Sequence, residues 1–185
     1  MKEKKVKEVM IALSDYATVS ENDTLAVAIK TLKKAREDSK YGHKHRAVLV
    51  FDKKQQIVGK VSIRCILQSL EPKYCQLEHQ DAKGSLGAAR FGFSEHFLNS
   101  LIDNFCLWDE SLEELVKHAA KLKIKDIMYT PSNGEYVDAD ASVAAAVHQL
   151  ILGTHQSLLV TKDKKVVGIL RLVDVFELVS EAIGE

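Results

Sequence analysis

The sequence predicts an α/β fold of the α+β kind, made of two copies of one strand–helix–strand–strand–helix unit. Three observations predict it. The pentapeptide Val6-Lys7-Glu8-Val9-Met10 returns as Ile124-Lys125-Asp126-Ile127-Met128, 118 positions on (6 to 124), and the offset continues through Val19 and Val137, Leu25 and Val143, and Leu32 and Leu150. Val58-Gly59 returns as Val167-Gly168, 109 positions on (58 to 167), so the first copy is longer by 9 (118 − 109) over that stretch. Within each copy, apolar residues spaced by threes and fours give way to short β-rich runs, the marks of helix and then strand. One copy spans about 60 residues, a size at which a separate core is marginal, so the two are expected to share one.

The elements follow in the same order in each copy. After the pentapeptide a short extended piece ends at Val19 or Val137. Asn22, Asp23 and Thr24, or Asp140 and Ser142, then offer helix N-caps. Leu25, Ala28, Ile29, Leu32 and Ala35 share one helical face, as do Val143, Ala146, Val147 and Leu150. The extra charged length around Lys33–Gly42 is expected to prolong the first of these helices before a turn at Gly42. Ala47–Phe51 and Ile57–Val61 form one predicted hairpin; Ser157–Val160 and Val166–Leu170 form its counterpart. Closing helices carry Ile63, Ile66, Leu67 and Leu70, and Leu172, Val175, Phe176 and Val179, both spaced 0, 3, 4, 7.

Residues 71–122 belong to neither copy, which divides the chain into 1–70, 71–122 and 123–185. The polar stretch Glu71–Phe93, with Gly84, Gly87 and Gly92, reads as a mobile loop. Ser94 is placed to cap a helix bearing Phe97, Leu98, Leu101, Ile102 and Phe105. Asp109 or Ser111 is placed to cap another bearing Leu112, Leu115, Val116 and Ala119, with Trp108 between them as a packing anchor. Their apolar stripes must be covered, and burial on this chain is expected before burial on a partner.

Composition narrows the function. Lysine plus arginine and aspartate plus glutamate both number 26, so the basic excess of a nucleic-acid-binding domain is missing. Lys2, Lys4, Lys5 and Lys7 read as a frayed, solvated start. No signal-peptide apolar region opens the chain and no run approaches the roughly 20 apolar residues of a membrane span. Three cysteines without a C-x-x-C spacing suit a reduced, cytoplasmic protein. His43-Lys44-His45 lacks the further ligands of a metal site, and no nucleophile, base and oxyanion donor come together, so neither metal binding nor catalysis is expected.

The order of elements, the K-h-x-x-h-M opening (h apolar) at Lys5–Met10 and Lys123–Met128, and the V-x-G before each last helix resemble a CBS-domain pair, or Bateman module. The resemblance covers about 1–70 and 123–185. It implies two motifs packed about a pseudo-twofold axis, with the middle segment as a mainly helical insertion. It also implies association of two such pairs as a homodimer, and clefts between motifs that hold adenosine-type ligands such as AMP, ADP, ATP or S-adenosylmethionine.

In that family a Ser or Thr three residues before an Asp, at the start of the last helix, binds ribose. This chain has Ser62-Ile63-Arg64-Cys65 in the first copy and Arg171-Leu172-Val173-Asp174 in the second, so neither signature is complete. The resemblance makes Asp174 the ribose ligand at the second cleft, with Arg171 facing a phosphate. Thr130 matches the family's threonine near the first strand, which contacts purine or phosphate; its counterpart is Ala12. His155 borders the same cleft, while Ser62 and Arg64 are the candidates at the first. Each has a plainer reading: Ser62 and Asp174 suit helix capping, and Arg171, Arg64 and His155 suit a solvated surface. Two functions follow as expectations. One is a regulatory module sensing an adenosine-type ligand, mainly at the second cleft, that acts on a protein partner through 71–122. The other is a scaffold or interaction protein that keeps the architecture without the ligand.

Overall fold

The computed structural model describes residues 4–37, 44–74 and 94–184. The first copy forms β1 (Ile11–Ala12), β2 (Thr18–Ser20), α1 (Leu25–Glu37), β3 (Ala47–Phe51), β4 (Ile57–Ser62) and α2 (Ile63–Leu70). Between the copies lie α3 (Glu95–Phe105) and α4 (Leu112–Ala119). The second copy forms α5 (Ile124–Ile127), β5 (Tyr136–Asp138), α6 (Val143–Leu152), β6 (Ser157–Lys162), β7 (Lys165–Arg171) and α7 (Leu172–Gly184). The expected order of elements is therefore present in both copies.

Each copy builds one sheet, β2-β3-β4 and β7-β6-β5, in which the first pair is parallel or antiparallel as its connection dictates. β2 and β5 run parallel to β3 and β6 because a helix crosses between them. The hairpins β3–β4 and β6–β7 are antiparallel, and each carries a register shift at the corresponding place, Val50/Phe51 and Val160/Thr161. The second hairpin turns through Asp163 and Lys164, both with positive φ (50° and 63°), so two left-handed residues do the work usually given to Asn-Gly.

The opening pentapeptides are exchanged between the copies. Val6 is fully buried in the second copy's core, among Val143, Leu150, Leu158 and Leu170. Ile124 is fully buried in the first copy's core, among Leu32, Val48, Val50 and Val61. The backbone follows the same exchange: Val6 N donates to Ala141 O at 3.0 Å, and Ile124 N to Asp23 O at 3.0 Å. β1 then pairs antiparallel with β7, Ile11 opposite Ile169, while Tyr129 bridges to Lys60 of β4. Burying one such aliphatic side chain contributes about 1.5–3 kcal/mol, so either copy alone would lose a central residue of its core. Between the sheets a further cluster of Ile11, Tyr16, Leu49, Leu159 and Ile169 is the shared interior expected from the short repeats.

Two glycines make the exchange possible. A methyl group on Gly168 would lie 2.5 Å from Ile11 O, and one on Gly59 would lie 2.7 Å from Met128 Sδ. The Val-Gly step of each copy, Val58-Gly59 and Val167-Gly168, is thus the place where the other copy's opening segment passes.

Several expectations are corrected. The start is not frayed from Lys4 onward: Lys5 Nζ donates to Asp140 O at 2.7 Å, and Lys7 Nζ sits 2.6 Å from Asp140 Oδ1. Trp108 is not a packing anchor. Leu107 takes the buried place, and Trp108 lies exposed with its Nε1 donating to Tyr74 Oη at 2.8 Å. The insertion helices differ, because α4 buries Leu115 and Ala119 whereas α3 buries none of its residues. The expected continuation of α1 past Glu37 to Gly42, residues 75–93 of the expected Glu71–Phe93 loop, and His43 and Cys75 lie outside the described residues; Glu71, where that loop was expected to start, is buried. Among the described residues, no helix is long and apolar enough to cross a membrane, and no group of three metal-ligating side chains occurs.

Candidate functional site

Because the opening segments cross over, each cleft is built from both copies. The first lies where the 129–135 segment meets the end of β4 and the start of α2. Lys60 Nζ is 2.7 Å from Glu135 Oε2, and Tyr129 Oη donates to Glu135 Oε1 at 2.5 Å. The Ser132 N–H donates to the same carboxylate oxygen at 3.1 Å. The Lys60 ammonium also stands 5.1 Å from the centre of the Tyr129 ring, within cation–π range. Burial acts to raise the Glu135 pKa, but the bonds from Lys60, Tyr129 and Ser132 outweigh it and hold the carboxyl below its ordinary value. Its acceptance of the Tyr129 hydroxyl in turn pushes that phenol up to about 12.

Ser62 caps α2, accepting the Cys65 N–H at 3.2 Å with the Cys65 thiol 3.1 Å from its Oγ. The capping role is thus realised, and Cys65 stands where a carboxylate would complete a signature. Arg64 and Thr130 are exposed. The expected grouping of Thr130 with Asp174 is corrected by strand pairing: Tyr129, its neighbour, is bonded to Lys60 on the first copy's sheet. Thr130 therefore belongs with Ser62 and Arg64. His155 is half-buried and sits over Gly153, where an added methyl group would meet its ring at 2.2 Å. The same ring reaches within 3.9 Å of a methyl placed on Gly134.

At the second cleft two charged side chains pair with each other. Arg171 grips Asp174: its Nε lies 3.0 and 2.9 Å from the two carboxylate oxygens, and Nη2 also donates to Oδ1. The Arg171 backbone N–H donates to Oδ2 at 3.0 Å, the reverse half of a capping box. These side chains are only 8% and 13% exposed, so the solvated-surface reading of Arg171 does not hold. Tyr16 and His45 of the first copy pack edge to face, ring centres 4.5 Å apart, near enough for the charges of Arg171 and Asp174 to act on both. Burial pushes the Tyr16 phenol up to about 12, with the Arg171 charge opposing.

Repeat offsets make the two clefts directly comparable. Tyr16 corresponds to Gly134, Arg171 to Ser62, Ile11 to Tyr129 and Ile169 to Lys60. Tyr129 is 44% exposed, whereas its counterpart Ile11 is 1% exposed and Tyr16, which matches Gly134, is 6% exposed. The first cleft presents exposed polar side chains; the second is lined by buried ones. Sequence reasoning missed Tyr16, His45, Lys60, Tyr129 and Glu135. One signal was available, since His45 and His155 occupy the same place before the middle strand. Lys60 also interrupts an otherwise apolar strand.

His45 supplies a test. Its Nδ1 is buried without a hydrogen-bond partner among the described residues, and burial together with the Arg171 charge lowers its pKa from 6.5. The unfolded chain binds a proton at His45 below about 6.5 and the folded chain resists it. This contribution to stability is therefore full above that pH and is lost as pH falls through the lowered folded value. Melting temperature should drop between neutral and mildly acid pH, and less steeply in His45→Phe. Equal slopes for the two proteins would remove His45 from the account.

Away from both clefts, a recess of about 270 Å³ lies between the end of α2 and α4, lined in part by Ser69, Glu71, Lys73, Asp109, Leu115 and His118. Its buried Glu71 carboxylate accepts the Trp108 N–H at 2.8 Å and the Lys73 N–H at 3.2 Å.

A family model described as the CBS domain matches residues 6–72 and 124–181. No curated protein matches the chain. Among solved structures, the CBS domain of a CBS-domain-containing membrane protein from Sphaerobacter thermophilus is 19% identical with a TM-score of 0.61, covering 96% of this chain and 88% of that one. A CBS-domain-containing protein from Bacillus anthracis is 18% identical with a TM-score of 0.61, covering 97% and 95%. CBSX2, solved in complex with AMP, is 18% identical with a TM-score of 0.58, covering 97% and 98%. At these identities the likeness is one of fold.

Proposed function

The chain belongs to the CBS-domain family, and from that premise we propose that it is a regulatory module binding an adenosine-type nucleotide between its two motifs. The observation that carries the proposal is the exchange of opening segments. A ligand in either cleft touches both copies, so it can favour one relative arrangement over another, which regulation requires. The first cleft is the better receiver. It offers the exposed ring of Tyr129, the exposed hydroxyl of Thr130 and cation of Arg64, and His155 beside Gly134, with Lys60 and Ser62 behind them in their own pairing and capping contacts. The AMP bound by the CBSX2 structure makes AMP, with ADP, ATP and S-adenosylmethionine, the first ligands to try.

Thermal unfolding with each nucleotide tests this. Ligand at a hundred times its dissociation constant should add about 2.7 kcal/mol of stability to the wild type. Arg64→Ala with Thr130→Ala alters two exposed side chains and should leave ligand-free stability unchanged while reducing the nucleotide shift. Absence of a shift with all four ligands would sink the sensor reading.

A second reading, a scaffold without ligand, is favoured by the capture of Asp174 by Arg171. Both readings suit assembly with a second copy. Leu67 on α2 and Phe176 on α7 hold corresponding places and are 53% and 62% exposed, so the two closing helices present matching apolar surface. Light scattering after size exclusion should report a dimer for the wild type and a shift toward monomer for Leu67→Lys with Phe176→Lys. A wild-type monomer at micromolar concentration would rule that assembly out. Segment 71–122 is the remaining surface through which a regulated protein would be reached.

A further inference from the structure

We propose that Arg171 is the second cleft's own occupant, an intramolecular stopper seated on Asp174 that closes this cleft to ligands and leaves the chain one working site. The inference rests on reading the clefts as ligand sites, but its carrying observations are structural. Both Asp174 oxygens are taken by Arg171, through its backbone N–H, Nε and Nη2. The pair is buried between copies, with Tyr16 and His45 of the first copy beside it. At the matching places of the first cleft stand Ser62, Cys65 and Gly134, so the first cleft has neither the arginine, the carboxylate nor the tyrosine ring.

The physical sense is direct. Asp174 is an acceptor of the kind that holds vicinal hydroxyls, and Arg171 spends that capacity internally. A hydroxyl-bearing ligand would have to break a buried, bidentate ion pair to reach Asp174. Such an exchange favours the closed state against any ligand that offers Asp174 hydroxyls alone.

The test uses Arg171→Ser, which gives the second cleft the residue of the first. A ligand-free measurement comes first: carbodiimide labelling of Asp174 with glycinamide, read by mass spectrometry on the folded full-length chain. Asp174 should be protected in the wild type and lose that protection in Arg171→Ser. Equal labelling in the two proteins would overturn the stopper. If Arg171→Ser does not fold, Arg171→Gln keeps most of the bulk and one donor, and should label at an intermediate rate.

Calorimetric titration with AMP then separates this inference from the functional proposal. One AMP per wild-type chain and two per Arg171→Ser chain support both. One in each protein, with Asp174 labelled in the variant, overturns the stopper, as do two in the wild type. None in the wild type and one in the variant uphold the stopper and refute the open first cleft. If neither protein binds AMP, the nucleotide reading falls, and the labelling alone decides whether Arg171 closes the cleft.

Discussion

Asp174→Ala is expected to destabilise the fold by about 3–5 kcal/mol in the absence of any ligand. Removing the carboxylate breaks a buried ion pair with the Arg171 guanidinium and frees the Arg171 backbone N–H at the start of α7. Urea unfolding of the ligand-free chain measures it. The effect belongs to the pair rather than to the acid alone, so Arg171→Met combined with Asp174→Leu should recover most of the loss. Replacing a buried ion pair by packed apolar groups is often neutral or better. A cost for Asp174→Ala below about 1 kcal/mol, the size of an exposed pair, would show that Arg171 finds water instead. The same number governs how ligand experiments are read, since a weaker melt in Asp174→Ala reports the lost pair before it reports any lost contact with a nucleotide.

Glu135→Ala should cost a similar amount, about 3–5 kcal/mol, for a different reason. Glu135 belongs to the second copy and Lys60 to the first, so the substitution strands a largely buried ammonium at the seam between them and frees the Tyr129 hydroxyl. Because the folded Glu135 carboxyl is held below its ordinary value of 4.5, its contribution is complete above that pH. It is lost as pH falls through the lowered folded value, since the unfolded chain then binds the extra proton first. Acid unfolding should accordingly be less steep in Glu135→Gln than in the wild type, and an unchanged acid limb would place the stabilisation elsewhere. Lys60→Met with Glu135→Leu should again cost less than either break alone. Unlike the Arg171–Asp174 pair, this one borders the open cleft, so a nucleotide shift that survives in the double variant would separate holding the copies together from holding the ligand.

Much of the fold was legible because secondary structure is written in local spacing. The helices α1 and α6 announce themselves by apolar spacings of three and four, the hairpins by short β-rich runs, and Ser62, Ser94, Ser111 and Ser142 cap the helices they precede. The site was less legible. Asp174 and Arg171 were identifiable as residues that matter, yet their bond to each other turned two candidate ligand contacts into a closed pair. Thr130 was grouped with Asp174, yet its neighbour Tyr129 bridges to Lys60 on the other sheet. Tyr16 and His45, which line the second cleft, gave no hint as single residues of a ring-to-ring contact.

The amino-acid sequence by itself determined that this chain repeats one unit and the order of each unit's main helices and strands, because those follow from contacts within a few residues. Only the tertiary structure decided which sheet each opening segment joins and therefore which cleft its side chains line. Pairings such as Ile11 with Ile169 and Lys60 with Tyr129 join distant parts of the chain, and local spacing carries no record of them. That pairing makes the two clefts unequal, one lined by Lys60, Tyr129 and Glu135 and the other holding Arg171 paired with Asp174.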